Sequence, residues 1–151
     1  NFQGYTTKAG ADLYGMGVSA ISGIGRTYAQ NHREVPEYQG RVDRRGMATM
    51  RGYVLTEDDM VRRDVISRLL CHTVIPKVDI ERAHSISFDS YFAHELFQLR
   101  KHAADGLIHL NNDELRVTAL GRIFIRNIAM VFDPYLEREN LSRRPLFSKT
   151  L

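Results

Sequence analysis

Apolar positions fall into helical registers over most of the chain, from about residue 56 onward. Val61, Val65, Ile66, Leu69 and Leu70 repeat at the three- and four-residue spacing that puts them on one helical face. Thr56 and Asp59 stand where a capping box would open that helix, and Glu57 and Asp58 add negative charge at its positive end. Pro76 forbids its continuation. A short helix is expected from Asp79 to about His84. A long one is expected after Ser87, with Phe88, Phe92, Leu96, Leu99 and Ala103 inward and Gly106 as its stop. Leu107 to Leu110 and Leu115 to Thr118 then predict a β-hairpin around the polar turn Asn111-Asn112-Asp113-Glu114. Thr118 should cap a last helix that buries Leu120, Ile123, Phe124, Asn127, Ile128, Val131 and Tyr135. Pro134 should end that helix near Phe132.

The earlier part of the chain has another texture. Residues 1–31 are rich in Gly, Ser and Thr, and residues 32–55 form a polar connection. Within the connection, Pro36 suits the first turn of a short helix facing inward with Val35, Tyr38 and Val42 and closed by Gly46. Residues 51–55 read as a short strand. The expected architecture is α+β. A mainly helical C-terminal domain of winged-helix-like order (helices plus a hairpin) occupies 56–151. Isolated helices cannot bury such stripes, so these must pack together.

Composition narrows the classes. A chain of 151 residues, 43% hydrophobic and 26% charged, is long enough for one domain with a core and is not disordered in character. No apolar run approaches the roughly 20 residues of a membrane helix. The start lacks a secretory pattern, so a cytoplasmic chain is expected. It opens with Asn1 rather than Met, from which a lost natural beginning is expected. The net charge of +3 is concentrated in Arg138, Arg143, Arg144 and Lys149. A basic tail of that kind is ordinarily solvated. Cys71 is the single cysteine and lies among Leu69, Leu70 and Val74, so it reads as a buried apolar residue.

Motifs with chemical meaning are sparse. Gly15-Met16-Gly17-Val18-Ser19-Ala20 fits GxGxxA, yet no apolar strand precedes it and Gly23 and Gly25 spoil a following helix. His94-Glu95-Leu96-Phe97-Gln98 begins like a zinc-protease helix but has Gln98 in place of the second histidine. His94 and His102 are therefore expected on the solvated side. The residue pattern assembles no catalytic set and no metal site. Were the helix from Phe88 a DNA-recognition helix, it would offer Asp89, Ser90, His94, Gln98, Lys101 and Asp105, and the hairpin tip Asp113 and Glu114. Both surfaces are neutral to acidic, a poor footprint for phosphates, so no nucleic-acid partner is expected, and a stand-alone winged-helix nucleic-acid-binding module stands as the alternative reading.

A resemblance goes further. The stretches Asn1-Phe2-Gln3-Gly4-Tyr5-Thr6-Thr7, Asp12-Leu13-Tyr14-Gly15-Met16-Gly17-Val18-Ser19-Ala20-Ile21-Ser22 and Tyr28-Ala29-Gln30-Asn31 form its first half. Arg62-Arg63-Asp64-Val65-Ile66, Tyr91-Phe92, Val117-Thr118-Ala119-Leu120-Gly121-Arg122 and Ile125-Arg126-Asn127-Ile128 continue it. In this order, from Asn1 to about Leu136, they resemble the C-terminal part of the oxygen-independent coproporphyrinogen III oxidases, a radical S-adenosylmethionine family. The resemblance implies a parent that converts two propionates of coproporphyrinogen III to vinyl groups with a [4Fe–4S] cluster and two S-adenosylmethionines. The cluster's CxxxCxxC motif is absent here, so the chain by itself is expected to be inactive. Residues 1–31 would then be the last strand segment of a truncated α/β catalytic barrel, and the helical domain would cap the substrate cleft. The resemblance places Ile21 against the second S-adenosylmethionine, with Gln3 as a weaker candidate facing the same site. It implies no membrane partner and a monomer.

Overall fold

The computed structural model describes residues 10–136, so Gln3 and the basic tail from Arg138 lie outside the described residues. The architecture mixes helix and sheet. Two compact units divide between Met60 and Val61, inside the first turn of a helix.

The unit Gly10–Met60 is built on an antiparallel sheet of β1 (Ile21–Ile24), β2 (Thr27–Asn31) and β3 (Thr49–Val54), in that order. β1 and β2 form a hairpin, with Ile21 opposite Gln30 and Ile24 opposite Thr27. The small-residue zone therefore supplies two strands, and the strand read at 51–55 is their third partner. Between β2 and β3 comes α1 (Val35–Arg45), opened by Pro36 and closed by left-handed Gly46, whose N–H donates to the Val42 carbonyl at 2.8 Å. Its expected inward face is only partly covered: Val35 is exposed, and Tyr38 and Val42 are half-buried.

From Val61 onward the second unit has a continuous core. α2 (Glu57–His72) contributes Val61, Val65 and Leu69, while Ile66 and Leu70 pack at its margin. The capping box opens this helix as expected. Thr56 N–H donates to Asp59 Oδ2 at 2.8 Å, and Asp59 N–H donates to Thr56 Oγ1 at 3.2 Å. β4 (Val74–Pro76), β6 (Glu114–Val117) and β5 (Ile108–Leu110) form a second antiparallel sheet, with β6 central. Ile75 pairs with Leu115 and Ile108 with Val117, and all four are buried. The hairpin over 107–118 is thus present, and Val74–Pro76 is a third strand that the sequence pattern did not reveal. α3 (Lys77–His84) follows β4 directly.

Two helices differ from expectation. The long helix after Ser87 is broken into α4 (Phe88–Tyr91) and α5 (Ala93–Ala104) at Phe92. There φ is −104° and ψ is 27°, outside helical values. The Phe92 ring is crowded by Phe88 and Tyr91, each with centroids at 4.9 Å, and by Phe132 edge-on at 5.2 Å. Bending here keeps Phe88, Phe92 and Leu99 all buried.

The last helix begins instead as a 3-10 turn, Gly121–Phe124, and continues as α6 (Ile125–Met130). Three residues per turn shift the helical phase by comparison with 3.6. The expected inward residues Leu120, Ile123, Phe124, Asn127 and Tyr135 consequently face outward, while Ile125, Ile128, Ala129 and Phe132 are buried. Gly121 is fixed at that point because a Cβ there would overlap the Leu107 carbonyl oxygen. Thr118 does cap the segment, accepting from Gly121 N–H at 3.0 Å.

Candidate functional site

Ile21 opens β1 at the end of a loop running from Gly15 to Ala20. Its residue is 43% exposed, so it is not part of a core. The loop lies close on its own strand: a Cβ on Gly15 would come within 2.6 Å of the Ile21 carbonyl oxygen. Glycine is thus required here for the chain's own packing. The GxGxxA segment precedes a strand rather than a helix, which removes the helix N-terminus a dinucleotide would need.

Polar side chains from three elements hold this loop. Asn31 Nδ2 donates to the carbonyls of Gly15 at 3.3 Å and Gly17 at 3.0 Å. Gly15 N–H donates to Ser22 Oγ at 3.0 Å, and Gly17 N–H donates to Tyr38 Oη at 3.2 Å. Tyr14, Met16 and Val18 project outward from the fixed backbone, Met16 being 90% exposed. The result is an ordered loop with an apolar surface, flanking an exposed isoleucine. Such a surface suits the apolar parts of an adenosyl group, while the available backbone polar groups are largely used internally.

A second concavity lies wholly within the unit after Met60. It measures about 410 Å³ and is lined by Arg62, His94, Glu95, Gln98, Asn127 and Asp133 among others. Its floor is an ion pair: Arg62 Nη1 donates to Glu95 Oε1 at 2.7 Å and to the Phe132 carbonyl at 3.2 Å. The Arg62 guanidinium also sits over the Phe92 ring, 5.6 Å from its centroid. Arg62 thereby ties α2 to α5 and to the segment after α6. Glu95 is 33 positions from Arg62 in sequence, and no local pattern could have joined them. On the cleft's rim, exposed His94 has its Nε2 2.8 Å from Gln98 Nε2. Gln98 therefore sits beside His94 where a second imidazole would be needed for zinc.

Other polar clusters serve packing. Asp64 accepts from Arg68 Nε at 2.8 Å and lies 3.0 Å from His84 Nε2. The hydrogen bond from Arg68 to Asp64 raises the guanidinium's pKa further above its usual range, with burial acting against it. Cys71 is half-buried rather than buried. His102 is half-buried too, with a buried Nδ1, so it is less solvated than expected. Among the described residues, no group of three His, Cys, Asp or Glu side chains could hold a metal ion. The residues present do not fit a [4Fe–4S] cluster, which takes three or four thiolates. Among the described residues, no helix is long and apolar enough to cross a membrane.

The likenesses to known proteins are consistent in kind. Residues 55–124 match the HemN C-terminal domain family. The whole chain is 47% identical over 151 residues to the oxygen-independent coproporphyrinogen III oxidase of Escherichia coli strain K12, covering 33% of it. Against the enzyme of that name from Pseudomonas aeruginosa, identity is 46% over 95% of this chain and 31% of the relative. A solved structure of coproporphyrinogen III oxidase (HemN) from Escherichia coli, a radical SAM enzyme, superposes with a TM-score of 0.81 at 50% identity. That superposition covers 89% of this chain and 31% of the other. The chain is similar along its whole length to the oxygen-independent coproporphyrinogen III oxidases, and it spans about a third of the length of the relatives it matches.

Proposed function

We propose that this chain is the C-terminal part of a radical S-adenosylmethionine oxidase of porphyrin and heme biosynthesis. The full-length enzyme oxidatively decarboxylates two propionates of coproporphyrinogen III to vinyl groups, giving protoporphyrinogen IX. The observation that carries this reading is identity of 47% sustained over all 151 residues to a relative bearing that name. Hydrogen abstraction from the propionates is chemistry that the cluster and S-adenosylmethionine supply when bound. The cluster is held outside this chain, because one cysteine cannot hold it. Residues 1–31 close the catalytic barrel, 32–55 connect it, and 56–151 cap the substrate cleft. The enzyme binds two S-adenosylmethionines and works in the cytoplasm as a monomer, without nucleic acid or membrane.

Within this chain, Ile21 is the residue that meets the second S-adenosylmethionine, and Gln3 faces the same site. With 43% of its surface exposed, Ile21 is accessible to a ligand, which is what this assignment requires. In the full-length enzyme, Ile21→Ala should weaken the cofactor by about 1–3 kcal/mol through the lost apolar contact. The melting temperature should stay near that of the parent. A core isoleucine would behave oppositely, with a stability loss of roughly 2–5 kcal/mol. Calorimetric titration with S-adenosylmethionine, set beside a thermal melt, separates the two. The isolated chain, reconstituted anaerobically with iron and sulfide, should take up no stoichiometric cluster; uptake would overturn the division of labour.

A further inference from the structure

The loop before Ile21 is restrained more heavily than a surface connection requires. Exposed loop groups ordinarily find their partners in water. Here the carbonyls of Gly15 and Gly17 both accept from Asn31 Nδ2, at 3.3 Å and 3.0 Å. The Asn31 backbone N–H donates to the Ala20 carbonyl at 2.9 Å, fixing the peptide that leads directly into Ile21. Asn31 thus holds the loop at its start, its middle and its end. Tyr38, from α1, reinforces the middle by accepting from Gly17 N–H at 3.2 Å.

Asn31 sits where the sheet changes register. The β2–β3 pairing shifts between Gln30 and Asn31, and such a bulge re-aims the side chain beside it. The loop itself contains two left-handed residues, Gly17 at φ 101° and Ser19 at φ 57°. Ser19 has a Cβ and disfavours that conformation, so the loop stays in it only because its surroundings determine it. Ser19 itself is held by its N–H on the His32 carbonyl at 2.8 Å and by Gln30 Nε2 on its carbonyl at 3.2 Å, while Asn31 and Tyr38 fix the glycines before it.

We infer that Asn31 is a positioning residue for S-adenosylmethionine, acting through the Gly15–Ala20 loop on Ile21, with Tyr38 as its support. This inference rests on the contact between Ile21 and the second S-adenosylmethionine proposed above. Its chemistry is simple. The Asn31 amide donates to two carbonyls and so sets where the Ile21 side chain stands before the cofactor arrives. Pre-organisation of this kind lowers the ordering cost of binding.

Two variants of the full-length enzyme test it. Asn31→Asp keeps the side chain's size but turns a carboxylate toward two carbonyl oxygens. Tyr38→Phe removes one acceptor and leaves the sheet untouched. Both should weaken S-adenosylmethionine binding and raise its KM about five- to tenfold, with kcat at saturation little changed. In the 151-residue chain, Tyr38→Phe should also speed hydrogen exchange at the Gly17 amide. Unchanged Gly17 exchange overturns the clamp. Unchanged affinity in both variants, with a lowered midpoint, overturns it too and makes Asn31 a folding residue. If Ile21→Ala weakens binding while both clamp variants bind normally, the positioning role fails and the contact survives. If Ile21→Ala binds normally, the underlying contact fails first.

Discussion

The two units keep their shape by different means. From Val61 to Phe132, fifteen buried hydrophobic residues form one cluster spanning helices and sheet. Between Gly10 and Met60, Ala48 and Leu55 are the buried hydrophobics among the described residues. That first unit is nonetheless regular, held by strand ladders and by side chains bonded to backbone, as at Asn31, Ser22 and Tyr38. Burial dominates folding free energy, whereas a hydrogen bond exchanged with water adds about 0.5–1.5 kcal/mol net. Order in the first unit is therefore local and easily lost; order in the second is cooperative. The same contrast places the candidate Ile21 site in the unit with little core of its own, where low stability and ligand binding commonly coincide.

The sharpest way to break this comparison is to delete one aromatic ring from each unit. Phe92 is fully buried between Phe88, Tyr91 and Phe132, so Phe92→Ala should cost about 3–5 kcal/mol. Tyr28 lies on the first sheet with its ring over Gly23 and more than a third of its surface exposed. Tyr28→Ala should cost about 1 kcal/mol or less, the scale of a cross-strand contact. Urea denaturation of each variant reads the difference. Equal losses would mean that the first unit owes as much to burial as the second.

Next in size is the buried ion pair of the second unit. Arg62 and Glu95 retain side-chain exposures of only 15% and 10%. Removing Glu95 takes a carboxylate partner from a poorly solvated guanidinium, which retains the Phe132 carbonyl and the Phe92 ring. Glu95→Ala should therefore destabilise by about 1.5–3 kcal/mol. High salt should restore little of that, because screening hardly reaches a buried pair. A loss below about 0.5 kcal/mol would place the pair with surface ion pairs and weaken the contrast.

What could be read from the chain depended on distance along it. The Thr56–Asp59 box, the helix opened by Pro36 and the hairpin around Asn111 are local signals, and each is present. The Ile21 environment was legible only through the resemblance. Its physical content, the clamp of Asn31 on Gly15 and Gly17, joins positions 14 and 16 residues apart without periodicity. The last helix failed for another reason. A 3.6-residue period extended across a 3-10 turn puts Leu120, Ile123 and Phe124 in the core, and they stand outside it. Val74–Pro76 escaped notice because three residues are too few to show alternation, and only its pairing with β6 makes it a strand.

The smallest expected effect is in the first unit and completes the contrast with Glu95. Glu37 in the first turn of α1 accepts from Arg41 Nε at 2.7 Å, one helical turn away, and is open to solvent. That hydrogen bond, with the nearby charges of Arg41, His32 and Arg44, holds the Glu37 carboxyl below the usual glutamate range, while desolvation acts against it. A carboxyl lowered on folding adds stability above its unfolded pKa and loses that contribution as pH falls through the folded value. Any contribution from Glu37 should therefore be present at neutral pH and vanish in mild acid. Its carbon chemical shift, followed by NMR through the acidic range, should give a midpoint below that of an unstructured peptide. Arg41→Ala should move the midpoint back up without measurable change in the urea midpoint at pH 7. A clear loss of stability in Arg41→Ala would show that exposed pairs, and not only ladders and clamps, hold the first unit together.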